Sequence, residues 1–226
     1  ANSTLGTAGS GIRVSSAENT SIQDLLISGN TIGNAGNDNP VVPVIPPTMN
    51  IQPSFISDAG IRFDRAGDSR FDVVNPRAGD LRSVTIDGNM VLNSGSVTAG
   101  SAVSGLQINV QNGLGDDVDF DVRNNTFSGS TGDGVQLNTQ ADASLATDLT
   151  NNLIENNTFQ GINVEGDEIT TAEDLETQGG TWTRNTIRNN GLNGISVSSV
   201  TGDAIPLIIG MNGNDPFTGQ SLGNVI

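Results

Sequence analysis

Three stretches in the second half of the chain decide the fold: NNTFSGSTGDGVQL (124–137), NNLIENNTFQGINV (151–164) and RNTIRNNGLNGISV (184–197). Each ends on a Gly-Φ-x-Φ motif, where Φ is apolar: GVQL, GINV and GISV. Each begins inside a second motif, Φ-x-x-Asn-x-Φ, carried by Val122/Asn125/Phe127, Leu149/Asn152/Ile154 and Trp182/Asn185/Ile187. The last apolar residue of the Asn motif precedes the glycine by seven positions in all three, from Phe127 to Gly134, Ile154 to Gly161 and Ile187 to Gly194.

Outward from these stretches the same two motifs alternate along the whole chain. Gly-Φ-x-Φ recurs as GIRV at Gly11, GIRF at Gly60 and GLQI at Gly105. The Asn motif recurs as Ile27/Asn30/Ile32 and Ile86/Asn89/Val91. The corner between Asn motif and glycine widens to 14 positions from Val91 to Gly105, and to 28 from Ile32 to Gly60. Fixed strands with loops that vary only at fixed corners are the signature of a solenoid.

Period-two alternation reads as short strands with one buried face. One cycle cannot bury its apolar side alone. Stacked cycles can, because each strand pairs in parallel with its equivalent in the next cycle. Asn30, Asn89, Asn125, Asn152 and Asn185 are expected to form a ladder at one corner, for two reasons. Asn tolerates the left-handed backbone conformation, and stacked amides hydrogen-bond along the axis. The glycine before each Φ-x-Φ suits a sharp entry into a strand. An antiparallel sandwich would have no reason to keep the seven-residue corner.

This repeat resembles that of right-handed parallel β-helix proteins, the pectin-lyase-like superfamily and its surface relatives. The resemblance covers roughly residues 10–200 and rests on the three stretches quoted above. It implies an all-β, right-handed parallel β-helix of about six coils with long loop insertions, forming a single domain over 1–226. At about 4.8 Å per stacked strand such a rod is about 29 Å long. Residues 37–58 hold five of the eight prolines, which removes ladder donors and predicts an extended loop. Its Val41, Val42, Val44 and Ile45 are expected to pack along the rod or against another molecule. Residues 200–226 read as a C-terminal cap or assembly segment. There AIPLIIG (204–210) is the apolar run expected to plug the core or pair with a partner.

Composition narrows the chemistry. The chain has no Cys, His, Tyr or Lys, so it has no disulfide, imidazole ligand, Ser-His pair or lysine Schiff base. Its formal net charge of −16 repels phosphate backbones and excludes nucleic acid as a partner. No apolar run approaches the ~20 residues of a membrane span. The opening at Ala1, without Met or an apolar leader, reads as a processed or excised segment of an extracellular or cell-surface protein.

The densest charge cluster lies in the loop at 64–82. β-Helix lyases, which the fold resembles, use carboxylate-bound Ca²⁺ and a basic residue to remove a uronate proton. That resemblance would give Asp64, Asp68 and Asp72 as oxygen ligands and Arg70 or Arg77 as the residue near the proton. A solvated loop with local ion pairs accounts for the same residues. A second cluster, Asp116, Asp117, Asp119 and Asp121, is a candidate Ca²⁺ site. Alternation along VDFDV turns Asp119 and Asp121 outward and Val118, Phe120 and Val122 inward. Glu165, Asp167 and Glu168 read as a solvated insertion, and Trp182 as core. Asn2, Asn19, Asn124 and Asn156 stand in glycosylation sequons that matter only in a glycosylating host.

Three functions follow. The first is a non-catalytic extracellular structural protein, a subunit of a surface layer, matrix or fibre. It rests on the missing catalytic residue types and on coil ends that another copy would satisfy, giving end-to-end homo-oligomers or polymers. The alternatives are a Ca²⁺-dependent lyase, epimerase or glycosidase acting on acidic polysaccharide, and a carbohydrate-binding or adhesive module.

Overall fold

The computed structural model describes residues 11–16, 25–33, 59–66, 83–95, 102–111, 117–140, 144–166, 177–198, 207–209 and 225–226. Every element named in it is a β-strand, and all strand pairs are parallel and in register, consistent with a parallel β-solenoid. The Gly-Φ-x-Φ motifs form the first sheet: β1 (Ile12–Ser16), β4 (Ile61–Ala66), β7 (Leu106–Gln111), β10 (Val135–Gln140), β13 (Ile162–Gly166) and β16 (Ile195–Ser198). The segments that enter the Asn motif form the second: β2 (Leu25–Ser28), β5 (Ser83–Asp87), β8 (Asp117–Arg123), β11 (Ser144–Thr150), β14 (Thr177–Thr183) and β17 (Leu207–Ile209). The residues that leave it form the third: β3 (Thr31–Gly33), β6 (Met90–Leu92), β9 (Thr126–Ser128), β12 (Leu153–Glu155) and β15 (Thr186–Arg188).

Stacking aligns like with like. Ile61, Leu106, Val135 and Ile162 face one another along the first sheet, and all are fully buried. Each of the three sheets turns one row inward. Phe63 from the first sheet meets Phe120 from the second edge to face, with ring centroids 5.1 Å apart. Trp182 is buried, and its indole N–H donates to the Thr147 carbonyl at 2.9 Å, so the ring fills the core without an orphaned donor. Leu207–Ile209, from the apolar run after residue 200, adds a strand to the second sheet in register with Gly180, Thr181 and Trp182. Val225 lies against Thr186 and extends the third sheet. The Pro-rich 37–58 segment and the loop from residue 67 to 82 lie outside the described residues.

The corner chemistry divides between neighbouring residues. The left-handed position is not the ladder Asn but the residue before it: Gly29, Gly88, Asn124, Asn151 and Arg184, with φ between 56° and 66°. The ladder residues have a different task. Asn125 N–H and Nδ2 both donate to Asn152 Oδ1, and Asn152 N–H and Nδ2 both donate to Asn185 Oδ1. Each Nδ2 also reaches back to the preceding turn, from Asn125 to the Ile86 carbonyl and from Asn152 to Val122. Asn89 and Asn30 continue the column by the same bonds. Asn89, Asn125, Asn152 and Asn185 are at most 2% exposed, so every one of these polar groups would be costly without its partner.

A second amide column stands at the seven-residue corner. Asn157 N–H and Nδ2 donate to Asn190 Oδ1, and Asn157 Oδ1 accepts from Ser130 N–H. The column stops there because Ser130 and Ser94 occupy the earlier positions, and their buried hydroxyls have no partner. Ser130→Asn would supply the missing amide, with Nδ2 facing Asn157 Oδ1 and Oδ1 facing Ser94 N–H. A stabilisation of about 1 kcal/mol is expected from chemical denaturation. An unchanged or lower midpoint would show that the corner cannot admit the larger side chain.

The glycines of Gly-Φ-x-Φ are required for a steric reason, and not for the sharp turn expected from sequence. A Cβ on Gly134 would meet the Gly161 carbonyl oxygen at 2.7 Å and Asn157 Nδ2 at 2.7 Å. Gly60, Gly105 and Gly161 face the next glycine's carbonyl in the same way. The glycine column is therefore the space into which neighbouring turns and the second amide column fit.

Candidate functional site

The outer face of the first sheet carries two polar columns, two residues apart on every strand. Arg62, Gln107, Gln136 and Asn163 form one, and Asp64, Asn109, Asn138 and Glu165 the other. The second is a directional chain: Asn138 Nδ2 donates to Asn109 Oδ1 at 2.8 Å, and Asn109 Nδ2 donates to Asp64 at 2.9 Å. Arg13 and Arg62 also donate to Asp64. Burial works to raise the Asp64 pKa, but the hydrogen bonds from Asn109, Arg62 and Arg13, with the Arg62 charge, outweigh it and hold the carboxyl below its ordinary range. A similar chain runs beside the second sheet, from Asn151 to Asn124 to Asp87. The Asn124 bond, helped by Arg123, depresses the Asp87 pKa against the opposing effect of desolvation.

Of the residues expected to carry lyase chemistry, only Asp64 is described, and it is clamped by donors. Asp68, Asp72, Arg70 and Arg77 lie outside the described residues, as does Asp116 of the candidate Ca²⁺ cluster. Asp119 is exposed, and Asp121 takes a 2.6 Å hydrogen bond from Arg123. Among the described residues no group of three or more His, Cys, Asp or Glu is placed to hold a metal ion.

A cleft of about 350 Å³ lies where the seven-residue corner enters the first sheet. Residues equivalent in successive corners stack here: Val103, Gly132, Phe159 and Leu192 are joined by backbone hydrogen bonds from Gly132 to Val103, Phe159 to Gly132 and Leu192 to Phe159. Gly132 is the one member without a side chain, and a Cβ there would meet the Val103 backbone nitrogen at 2.8 Å. Phe159 and Leu192 form an apolar wall, 39% and 60% exposed. The polar side comes from Ser104, Asp133, Gln136, Asn163 and Glu165.

Asp133 is the unusual group. It is 5% exposed, accepts from Gln160 N–H at 2.9 Å and from Asn163 Nδ2 at 3.2 Å. The same Asn163 amide nitrogen donates to Glu165 at 2.7 Å, so one NH₂ group bridges two carboxylates. Desolvation raises the Asp133 pKa above its ordinary range, the two donors oppose the shift, and the Glu165 charge adds to it. A raised folded-state pKa gives stability that is complete below the unfolded-state pKa and lost as pH rises through the folded value. Asp133→Asn removes that loss. Its stability relative to the parent should therefore improve between acid and neutral pH, in denaturation curves taken across that range. A difference that does not change with pH would contradict the burial argument.

The sequence holds a signal for this cleft. Aligning the three seven-residue corners places Gly132-Asp133 against Phe159-Gln160 and Leu192-Asn193, so both residues break the pattern at once. Glu165, read from sequence as part of a solvated insertion, is the exposed partner of this buried carboxylate. No protein-family model matches the chain, and no curated protein or solved structure matches it. Among the described residues no helix is long and apolar enough to cross a membrane.

Proposed function

We propose that the chain is a right-handed parallel β-helix of about six coils, related to the pectin-lyase-like superfamily. In this reading it serves outside the cell as a structural subunit of a surface layer, matrix or fibre. The side-chain columns along the stack support it. The inner Asn column and the two outer chains that end on Asp64 and Asp87 all join one turn to the next. Amides and carboxylates committed to such bonds stiffen a rod and leave little acid–base chemistry on its faces. Ca²⁺, in this reading, screens a strongly acidic surface.

Subunits join through their ends. On the C-terminal side Val197, Val225 and Ile226 are 43%, 64% and 69% exposed, an apolar surface that a second copy's first turn would cover. A contact of this head-to-tail kind propagates instead of closing. Electron microscopy and sedimentation of the 226-residue protein over a range of concentrations test the proposal. Filaments or sheets are expected, and a rod that stays monomeric at high concentration would end it.

A further inference from the structure

We propose that Asn193 is a site of spontaneous deamidation, where the Gly194 nitrogen closes on the side-chain amide, and that the stack protects Asn190, which also precedes a glycine. This goes beyond the structural role and does not depend on it. The two Asn-Gly pairs stand on one turn, so the difference between them isolates what the fold does.

The reaction needs a free backbone N–H after the asparagine, with no side chain crowding it, and an amide able to swing toward it. In the earlier turns the stack takes that N–H. Gly105 donates to the Asp133 carbonyl, Gly134 to Gln160 and Gly161 to Asn193, each from the glycine of Gly-Φ-x-Φ to the next turn. Gly194 is next in line, and among the described residues its N–H has no acceptor. Ile226 approaches it through a side-chain methyl, which accepts nothing. Asn193 is exposed, and its side-chain amide makes no hydrogen bond among the described residues.

Asn190 is the opposite case. Gly191 N–H donates to the Asn157 carbonyl at 2.9 Å. Asn190 Oδ1 accepts from Asn157 N–H and Nδ2, and its own Nδ2 donates to the Ile154 carbonyl at 3.3 Å. Ring closure there must first break bonds of the second amide column.

At Asn193 the Gly194 nitrogen bonds to Cγ and gives up its proton, and the side-chain nitrogen leaves with that proton as ammonia. Water then opens the cyclic imide. Attack at Cγ leaves aspartate. Attack at the backbone carbonyl leaves isoaspartate, which carries the main chain through one extra carbon. Either product adds a negative charge to the last described Gly-Φ-x-Φ corner.

The test holds dilute native protein in mildly alkaline buffer, samples it over time and cuts it after arginine. That releases 189–226 as one peptide, because Arg188 is the last arginine. Sequencing the peptide by mass spectrometry reads Asn190 and Asn193 side by side. Asn193 is expected to convert at least ~10-fold faster than Asn190, with isoaspartate among the products. In urea, where the stack is gone, the two rates should converge. Gly194→Ala should slow Asn193 several-fold, since its methyl crowds the attacking nitrogen, and leave Asn190 unchanged. Equal rates in the folded protein, or an Asn193 that stays intact, would overturn the proposal. So would a rate ratio that persists in urea, which would place the preference in the local sequence. Conversion to aspartate alone, at an unchanged rate in Gly194→Ala, would make the reaction direct hydrolysis and overturn it too.

Discussion

Asn152→Ala is expected to lower stability by about 3–4 kcal/mol. Truncation takes the acceptor from Asn125 N–H and Asn125 Nδ2, and the donor from the Val122 carbonyl and Asn185 Oδ1. All four groups sit where water does not reach, since Asn125, Asn152 and Asn185 are buried. Relaxation recovers part of the loss, which is why the expected figure is below four full desolvation penalties. Asn30 provides the comparison. It is half-buried at the start of the described column, and its amide also bonds locally to the Ser28 carbonyl. Asn30→Ala should cost only about 1 kcal/mol. Equal losses at the two positions, measured by chemical denaturation, would show that the column adds nothing beyond local corner bonds.

Gly134→Ala should be nearly as damaging, at about 3 kcal/mol. The new methyl would collide with the Ile154 side chain, Asn157 Nδ2 and the Gly161 carbonyl oxygen. Two of these belong to ladders that fix the distance between turns, so neither can retreat without breaking hydrogen bonds. Gly88→Ala separates this effect from backbone strain. Gly88 has φ 66° with nothing within 4 Å of the added carbon, so it should lose only the left-handed penalty of about 1 kcal/mol. Similar losses at Gly134 and Gly88 would leave strain, and not stacking, as the reason for the glycine column.

The parallel stacking was legible because burial here is periodic. Phe127, Ile154 and Ile187 are spaced by whole turns, and each falls inward for the same reason. Asn125 and Asn152 were legible as a column from the same spacing. The doublets Asn156-Asn157 and Asn189-Asn190 carry the second column just as plainly. They passed unread because Asn in a loop is ordinarily explained by turn conformation alone. Doublets divide that work: at Asn156 and Asn189 the first Asn takes the left-handed backbone, and the second makes the interlayer bonds. The cleft was the least visible feature. Charge density drew attention to 64–82, whereas Asp133 is a single acid and Glu165 reads as part of an acidic insertion on the next turn, far from it in sequence. What joins them is the Asn163 amide nitrogen, which donates to both, and a bond between turns does not register as a motif.

The amide column also bears on heredity. Each internal Asn presents the same acceptor on one side and the same donor on the other, whether the spacing to the next is 27 residues, as from Asn125, or 33, as from Asn152. A duplication or deletion of one whole turn in the gene therefore rejoins matching partners and strands no amide. A change of any other length breaks the column at the junction. The carboxylates at Asp64 and Asp87 accept without donating, so a copied turn that carried either of them would interrupt the outer chain it entered. Growth by whole turns is thus open on the side of Asn152 and restricted on the side of Asp87.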